Sequence, residues 1–318
     1  MKILFLCPDY FGIHKIIERE IKANMNCELK VIIFKDYKYK NAFQKIKNFF
    51  SKLFLSKNLK KIWSSKQQLI SIDDTEYFDY LFVICPDFLL DKELKYITNK
   101  AKKSIVYYWD SFDNILGYKR TINFFDKKFS FEPKDVQKYN MSLLTNFYYN
   151  TERNEMPTND LYFIGTFDKR IHKIMKVVSV ISKYNINIQI FLISGNKKNI
   201  NKYQTKNIKF LENPISFKEN EKLYNDSKII LDIQKPIQKG LTFRVFEAIG
   251  KGKKLITTNA DIVNYDFYNS NNIFIFTDET KEIPLSFFLN EYQKLPIHIY
   301  EKYSVKNWIK TIFNIQNN

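Results

Sequence analysis

Residues 238–259, Gln-Lys-Gly-Leu-Thr-Phe-Arg-Val-Phe-Glu-Ala-Ile-Gly-Lys-Gly-Lys-Lys-Leu-Ile-Thr-Thr-Asn, bring a cation, an acid and a helix start into one short stretch. Lys239 and Gly240 open it as a loop, and the glycine lets backbone approach a ligand closely. Leu241–Ile249 is expected as a helix whose first N–H groups point into that loop, so Leu241 and Thr242 stand where an anion is bound. Arg244 and Glu247 follow at i and i+3 on one helix face. A cation and an acid then sit side by side near a phosphate-ready helix start. Gly250 and Gly252 end the helix, and Leu255–Thr258 reads as a strand. The other reading of Glu247 is a surface acid paired with Arg244.

A second set of chemistry-bearing residues follows strands. Gly165 and Thr166 end an apolar run at 161–164, where backbone N–H groups can cradle phosphate or simply turn. Arg170, at the next helix start, adds a charge for the phosphates or is an ordinary exposed arginine. Ser194 ends the strand 188–193 at a comparable position. In the first half, Trp109-Asp110-Ser111-Phe112-Asp113-Asn114 is a polar loop at a strand end, where open α/β sheets place ligands. Asp110 and Asp113 are the candidates for a general base here, and the alternative is an N-cap or turn aspartate. Asp9 and His14 flank the first loop, the other place where a hydroxyl could meet a base.

These positions need strands and helices in alternation. Ile3–Cys7, a helix at 13–24 and Leu29–Phe34 start a βαβ layer. Tyr80–Cys85, a helical segment at 90–103 and Ile105–Trp109 continue it. The polar segment 148–160 reads as a linker. Beyond it the βαβ rhythm starts again, with strands at 161–164, 188–193, 208–210 and 229–233 and helices at 168–183 and 219–227. The expected class is α/β.

The 238–259 segment resembles the nucleotide-sugar loop and helix of GT-B fold glycosyltransferases. It is most similar to the bacterial lipopolysaccharide, O-antigen and capsule transferases described as CgeB-like. Asn259, Tyr265-Asp266-Phe267-Tyr268-Asn269 and the run from Trp109-Asp110-Ser111 to Phe131-Glu132-Pro133 extend the likeness. The resemblance implies two Rossmann-like domains facing a central cleft: an acceptor domain at 1–150, a donor domain at 151–298, and a tail at 299–318 with Trp308 that crosses back to the first. It implies that Glu247 holds the ribose and that Arg244 and Lys239 hold the diphosphate, and it places a glycine at Gly165. Many relatives carry another acid seven residues before the ribose acid. Here that position is Gly240, so sugar identity and stereochemistry do not carry over. The implied partners are a nucleotide-sugar donor and a lipid-linked or oligosaccharide acceptor, with no cofactor.

Length and composition fit this plan. The chain has 318 residues, 45% hydrophobic and 17% aromatic, enough for two cores. The net charge of +17 calls for an anionic partner. Residues 35–66 carry ten lysines and a single acid, Asp36. Within them Phe43, Ile46, Phe50, Leu53 and Phe54 recur at helical spacing, as in a basic helix on an anionic membrane or in a lysine-rich surface helix. No nucleic-acid-binding motif accompanies the charge. No Asp-x-Asp or Cys/His cluster points to a metal, and no segment is long enough to span a membrane. Cys7, Cys27 and Cys85 read as buried free thiols. The expected place is the cytoplasm, at the inner face of the membrane. Rival functions are transfer of another activated group such as glycerol phosphate, an inactive scaffold in glycan assembly, and a nucleic-acid-binding protein suggested by charge alone.

Overall fold

A computed structural model describes residues 1–10, 12–152, 154, 156–195 and 200–315. The chain divides into two compact units, Met1–Leu144 with Ile309–Asn318, and Thr145–Trp308. The break falls ahead of the polar 148–160 stretch because Asn146, Phe147 and Tyr148 are buried in the second unit. Asn146 Nδ2 donates to the Leu241 carbonyl at 3.1 Å, and the Phe147 ring lies 4.7 Å from that of Trp308.

The first unit is built on six strands: β1 (Lys2–Pro8), β2 (Glu28–Phe34), β3 (Phe78–Ile84), β4 (Ala101–Tyr108), β5 (Lys127–Ser130) and β6 (Ser142–Leu143). All pair in parallel in the order β2-β1-β3-β4-β5-β6, with Ile3 opposite Tyr80 and Leu6 opposite Val83. A parallel sheet covered on both faces needs nearly continuous apolar strands, and Ile3–Leu6 and Leu81–Val83 are fully buried. Helix α1 (Ile13–Asn24) leads from β1 to β2, and Ile17 and Ile21 face the sheet. The lysine-rich segment forms two helices, α2 (Ala42–Leu55) and α3 (Leu59–Gln68), each capped by an asparagine, Asn41 and Asn58. The chain then returns to β3 on the other side of β1. The strand order therefore reverses between β1 and β3, and an open sheet binds ligands at the carboxyl ends of such a pair. Helix α4 (Asp91–Thr98) precedes β4, and α5 (Pro133–Tyr139) joins β5 to β6.

The second unit repeats the plan with β7 (Asn159–Thr166), α6 (Ile171–Ile181), β8 (Ile188–Ile193), β9 (Ile208–Leu211), α7 (Phe217–Asn225), β10 (Ser227–Asp232), α8 (Phe243–Gly250), β11 (Lys254–Thr257) and β12 (Ile273–Ile275). Its strands are also parallel, in the order β12-β11-β10-β7-β8-β9, so the reversal lies between β7 and β10. Helix α8 begins at Phe243, two residues later than the sequence suggests, because Leu241 is drawn into the core and only 2% exposed. Gly250 is the last residue of α8, and a Cβ there would meet the Tyr148 side chain at 2.6 Å. The tail after α9 (Leu285–Leu289) forms two helices, α10 (Ile297–Lys302) and α11 (Val305–Phe313). From Ile309 on it belongs to the first unit, where Phe313 packs edge-on to Tyr80 and Phe82.

Candidate functional site

The carboxyl ends of β7 and β10 in the second unit collect most of the donor-side residues. Asp232 ends β10 with no exposure, after the wholly apolar Ile229-Ile230-Leu231. A buried carboxylate must be paired, and this one has three partners. The hydroxyls of Thr242 and Thr257 donate to its Oδ1 and Oδ2 at 2.8 and 2.9 Å, and Arg244 Nη1 lies 3.3 Å from Oδ1. Arg244 Nη2 donates to the Ile164 carbonyl at 2.8 Å, so the guanidinium bridges β10 and β7 at the reversal. It also lies over the Phe163 ring, 4.9 Å from the centroid. A Cβ on Gly165 would come within 2.9 Å of that same ring, so this glycine makes room for the aromatic plate under Arg244. Thr242 stands at the N-cap of α8, yet its hydroxyl is engaged by Asp232 and does not cap the helix.

Glu247 follows on α8 and is half-buried. Burial pushes its carboxyl up to about 7 from an ordinary 4.5, against the opposing pull of Arg244 and Lys251; Glu221 adds to the rise, and a hydrogen bond from the Tyr149 hydroxyl lowers it. Lys251 is held by the Asn225 side chain at 2.7 Å and lies 3.7 Å from Glu221. Lys239 is exposed in the loop before α8, its carbonyl accepting from the buried Asn259 at 2.9 Å, and Gly240 beside it is buried.

Arg170 also reaches the end of β10. Its Nη1 donates to the Ile233 carbonyl at 2.9 Å, while its Nε and Nη2 are paired with Asp168. Burial works against the Asp168 carboxylate, but the Arg170 hydrogen bonds hold it below its ordinary range. Arg170 thus braces the β7–α6 loop and brings a charge already paired. Thr166 is exposed at the end of β7, and Ser194 follows β8 with its N–H donating to the Leu211 carbonyl at 2.9 Å. Leu241 presents only backbone, since its side chain is in the core.

In the first unit the loop after β1 carries Asp9 and, at the start of α1, His14. Gly12 takes a positive φ of 76° there and donates its N–H to Asp9 Oδ1 at 3.1 Å. His14 Nδ1 lies 3.1 Å from the same carboxylate oxygen but makes no hydrogen bond, and only 10% of the imidazole is exposed. A small cavity beside it is lined by Pro8, Tyr10, Ile84 and Trp109. Asp110, after β4, is occupied locally: it accepts from the Ser111 N–H at 2.8 Å and from Asn114 Nδ2 at 2.5 Å. That is the pattern of an aspartate that shapes its own loop. Asp113 is exposed.

Sequence reasoning missed Asp232, Thr257 and Tyr149. The first had a readable signal, an acid ending a fully apolar strand. Tyr149 had none, lying in the stretch taken as linker. Cys7 and Cys85 are buried and unpaired, whereas Cys27 is half-buried because it precedes β2 at the edge of the sheet. Burial pushes the Cys85 thiol up to about 12, against a hydrogen bond from Tyr118. Among the described residues no group of three or more His, Cys, Asp or Glu is placed to hold a metal ion.

Two parallel six-stranded α/β units of this connectivity constitute the GT-B fold of glycosyltransferases. No family model and no curated protein matches the sequence. In fold the chain is similar to Anabaena Alr3699/HepE, solved in complex with UDP-glucose, with a TM-score of 0.58 and 11% identity over 99% of this chain and 98% of that one. The same protein with UDP and glucose gives 0.58 and 10% over the same shares. T4 phage β-glucosyltransferase is similar at a TM-score of 0.45 and 15% identity, covering 98% of this chain and 95% of that one.

Proposed function

We propose that the protein is a glycosyltransferase that moves a sugar from a nucleotide diphosphate donor to an acceptor hydroxyl. The observation that carries this reading is the set at the β7/β10 reversal: Arg244 fixed by Asp232 and the Ile164 carbonyl, with Glu247 on the same helix. Arg244, Lys239 and the first N–H groups of α8 take the diphosphate and stabilise the charge that develops as it leaves. Glu247 accepts the ribose hydroxyls, and ligand hydroxyls give its desolvated carboxylate what water no longer supplies. Gly165, Thr166 and Ser194 line the strand ends beside the phosphates, and Arg170 orders that rim.

The base we propose lies in the loop after β1. His14, whose Nδ1 lies 3.1 Å from Asp9 without a hydrogen bond to it, is the group we propose takes the acceptor proton, since the oxygens of Asp110 serve its own loop. The acceptor we propose is a lipid-linked or oligosaccharide precursor of a bacterial surface glycan, met at the anionic inner face of a membrane. The leaving diphosphate is neutralised by these cations without a metal.

UDP is the first nucleotide to test, since the similar HepE was solved with UDP-glucose. Thermal shift against UDP, GDP, CMP, TDP and their sugars should give a selective rise with one nucleotide, lost in Arg244→Ala and Glu247→Ala. No shift with any of them would sink the donor site and favour a scaffold or a different activated group.

A further inference from the structure

Helix α2 is mounted with its polar side inward. Asn48 is 3% exposed and Ser51 6%, while Phe43 is 70% exposed, Leu53 62% and Phe54 72%. The inward groups are satisfied one by one. Gln44 Oε1 accepts from the Tyr37 hydroxyl and the Lys40 N–H, both at 2.9 Å. Asn48 donates to the Tyr39 hydroxyl at 2.8 Å and accepts from the Lys60 N–H at 3.1 Å, and the Ser51 hydroxyl donates to the Lys57 carbonyl at 3.0 Å. The orientation is therefore specified by hydrogen bonds. Burying the apolar stripe against the body would have been the usual solution, since each phenylalanine hidden from water stabilises a fold.

The stripe is also continuous. Phe43, Ile46, Phe50, Leu53 and Phe54 lie on one face, and the Phe50 and Phe54 rings stack at 6.0 Å. Around it the charge has one sign. From Tyr37 to Ile72 the chain has nine lysines, all exposed, and no acid. Among the described residues no helix is long and apolar enough to cross a bilayer, and α2, at 14 residues, spans about 21 Å.

We infer that α2 is a membrane-insertion element: it lies in the plane of an anionic bilayer with Phe43, Ile46, Phe50, Leu53 and Phe54 below the headgroups and the surrounding lysines on lipid phosphate. Charge complementarity chooses this occupant. Nine lysines in a stretch without a single acid would repel a second copy of the same segment, while an anionic bilayer neutralises them and offers hydrocarbon to the stripe. The inference deepens the membrane part of the proposed function and is independent of the sugar chemistry.

The test is flotation of the whole protein with phosphatidylglycerol-containing vesicles at physiological salt, with pure phosphatidylcholine vesicles beside them. Wild type should float with the anionic vesicles. Phe43→Ser/Phe50→Ser/Phe54→Ser, which keeps every lysine, should bind at least about tenfold more weakly. Because these side chains are exposed, the variant should keep its melting temperature and its nucleotide shift, which separates this result from failure of the donor site. Undiminished vesicle binding by the variant would overturn insertion and leave surface charge alone. No vesicle binding by wild type, with a dimer in ultracentrifugation that the variant abolishes, would assign the stripe to a second copy instead.

Discussion

Arg244 and Asp232 form an ion pair, Nη1 to Oδ1 at 3.3 Å, between the second residue of α8 and the last residue of β10. The acid is fully buried and the Arg244 side chain 23% exposed, so the pair holds a cation at the strand ends where part of it still reaches the surface. The same carboxylate binds Thr242 from the turn before α8 and Thr257 from the end of β11. One buried acid thus fixes the start of the helix, the neighbouring strand and the cation.

Removing Asp232 should therefore damage the second unit broadly. Asp232→Ala leaves a guanidinium and two hydroxyls without their acceptor, and breaking such a pair costs about 3–5 kcal/mol. Denaturant unfolding measures it. A loss under about 1 kcal/mol, the range of an exposed pair, would mean that the carboxylate does not organise this end of the sheet.

Replacing Arg244 tests the charge itself. Arg244→Lys keeps the charge but cannot reach both Asp232 and the Ile164 carbonyl with one planar group. We expect nucleotide affinity to fall by about 1.5–3 kcal/mol, the range of hydrogen bonds to charged groups, with the fold retained. Calorimetric titration with UDP is the measurement, and affinity equal to wild type would remove Arg244 from the phosphate site.

Glu247 gives a pH dependence with a definite sign. Its folded-state carboxyl stands at about 7, above the ordinary 4.5, because burial outweighs Arg244 and Lys251. The folded protein then holds a proton that the unfolded chain releases, so this stabilising contribution is complete below pH 4.5 and is lost as pH rises through about 7. Glu247→Gln should stabilise the protein relative to wild type at pH 8, by at most an amount on the order of 3 kcal/mol. The same substitution should weaken nucleotide binding, because the ionised carboxylate is the better acceptor for ribose hydroxyls. Melting curves and UDP titrations from pH 5 to 8 read both effects, and a variant that gains neither stability nor loses affinity would contradict the assignment.

Much of this arrangement was legible from residue types. Apolar runs such as Ile3–Cys7 and the α8 pattern mark their elements because a parallel sheet is buried on both faces. Arg244 and Glu247 share a face through helical geometry alone. What stayed hidden is which side chain engages which neighbour, because residue type and spacing do not fix rotamers. That Gly165 makes room for Phe163, that Arg170 is paired with Asp168, and that Asp110 is used by Asn114 are facts of side-chain geometry. The outward face of α2 is another: spacing shows a stripe, but only the bonds from Gln44, Asn48 and Ser51 decide which way it points.

The base is the sharpest remaining choice, and kinetics can make it. His14 is largely buried, and its Nδ1 lies 3.1 Å from Asp9 with no hydrogen bond formed, so the imidazole has a polar atom still to be satisfied beside the loop after β1. His14→Gln removes proton transfer and should lower kcat by about 10²–10⁴-fold while donor affinity stays near wild type. Asp9→Asn keeps the imidazole and should cost less. Asp110→Asn should alter loop stability more than turnover, because both oxygens of Asp110 already hold Ser111 and Asn114. The opposite ranking, with turnover abolished by Asp110→Asn and retained by His14→Gln, would move the base to the end of β4. The split between kcat and donor affinity carries the decision, since a merely structural role would lower both together.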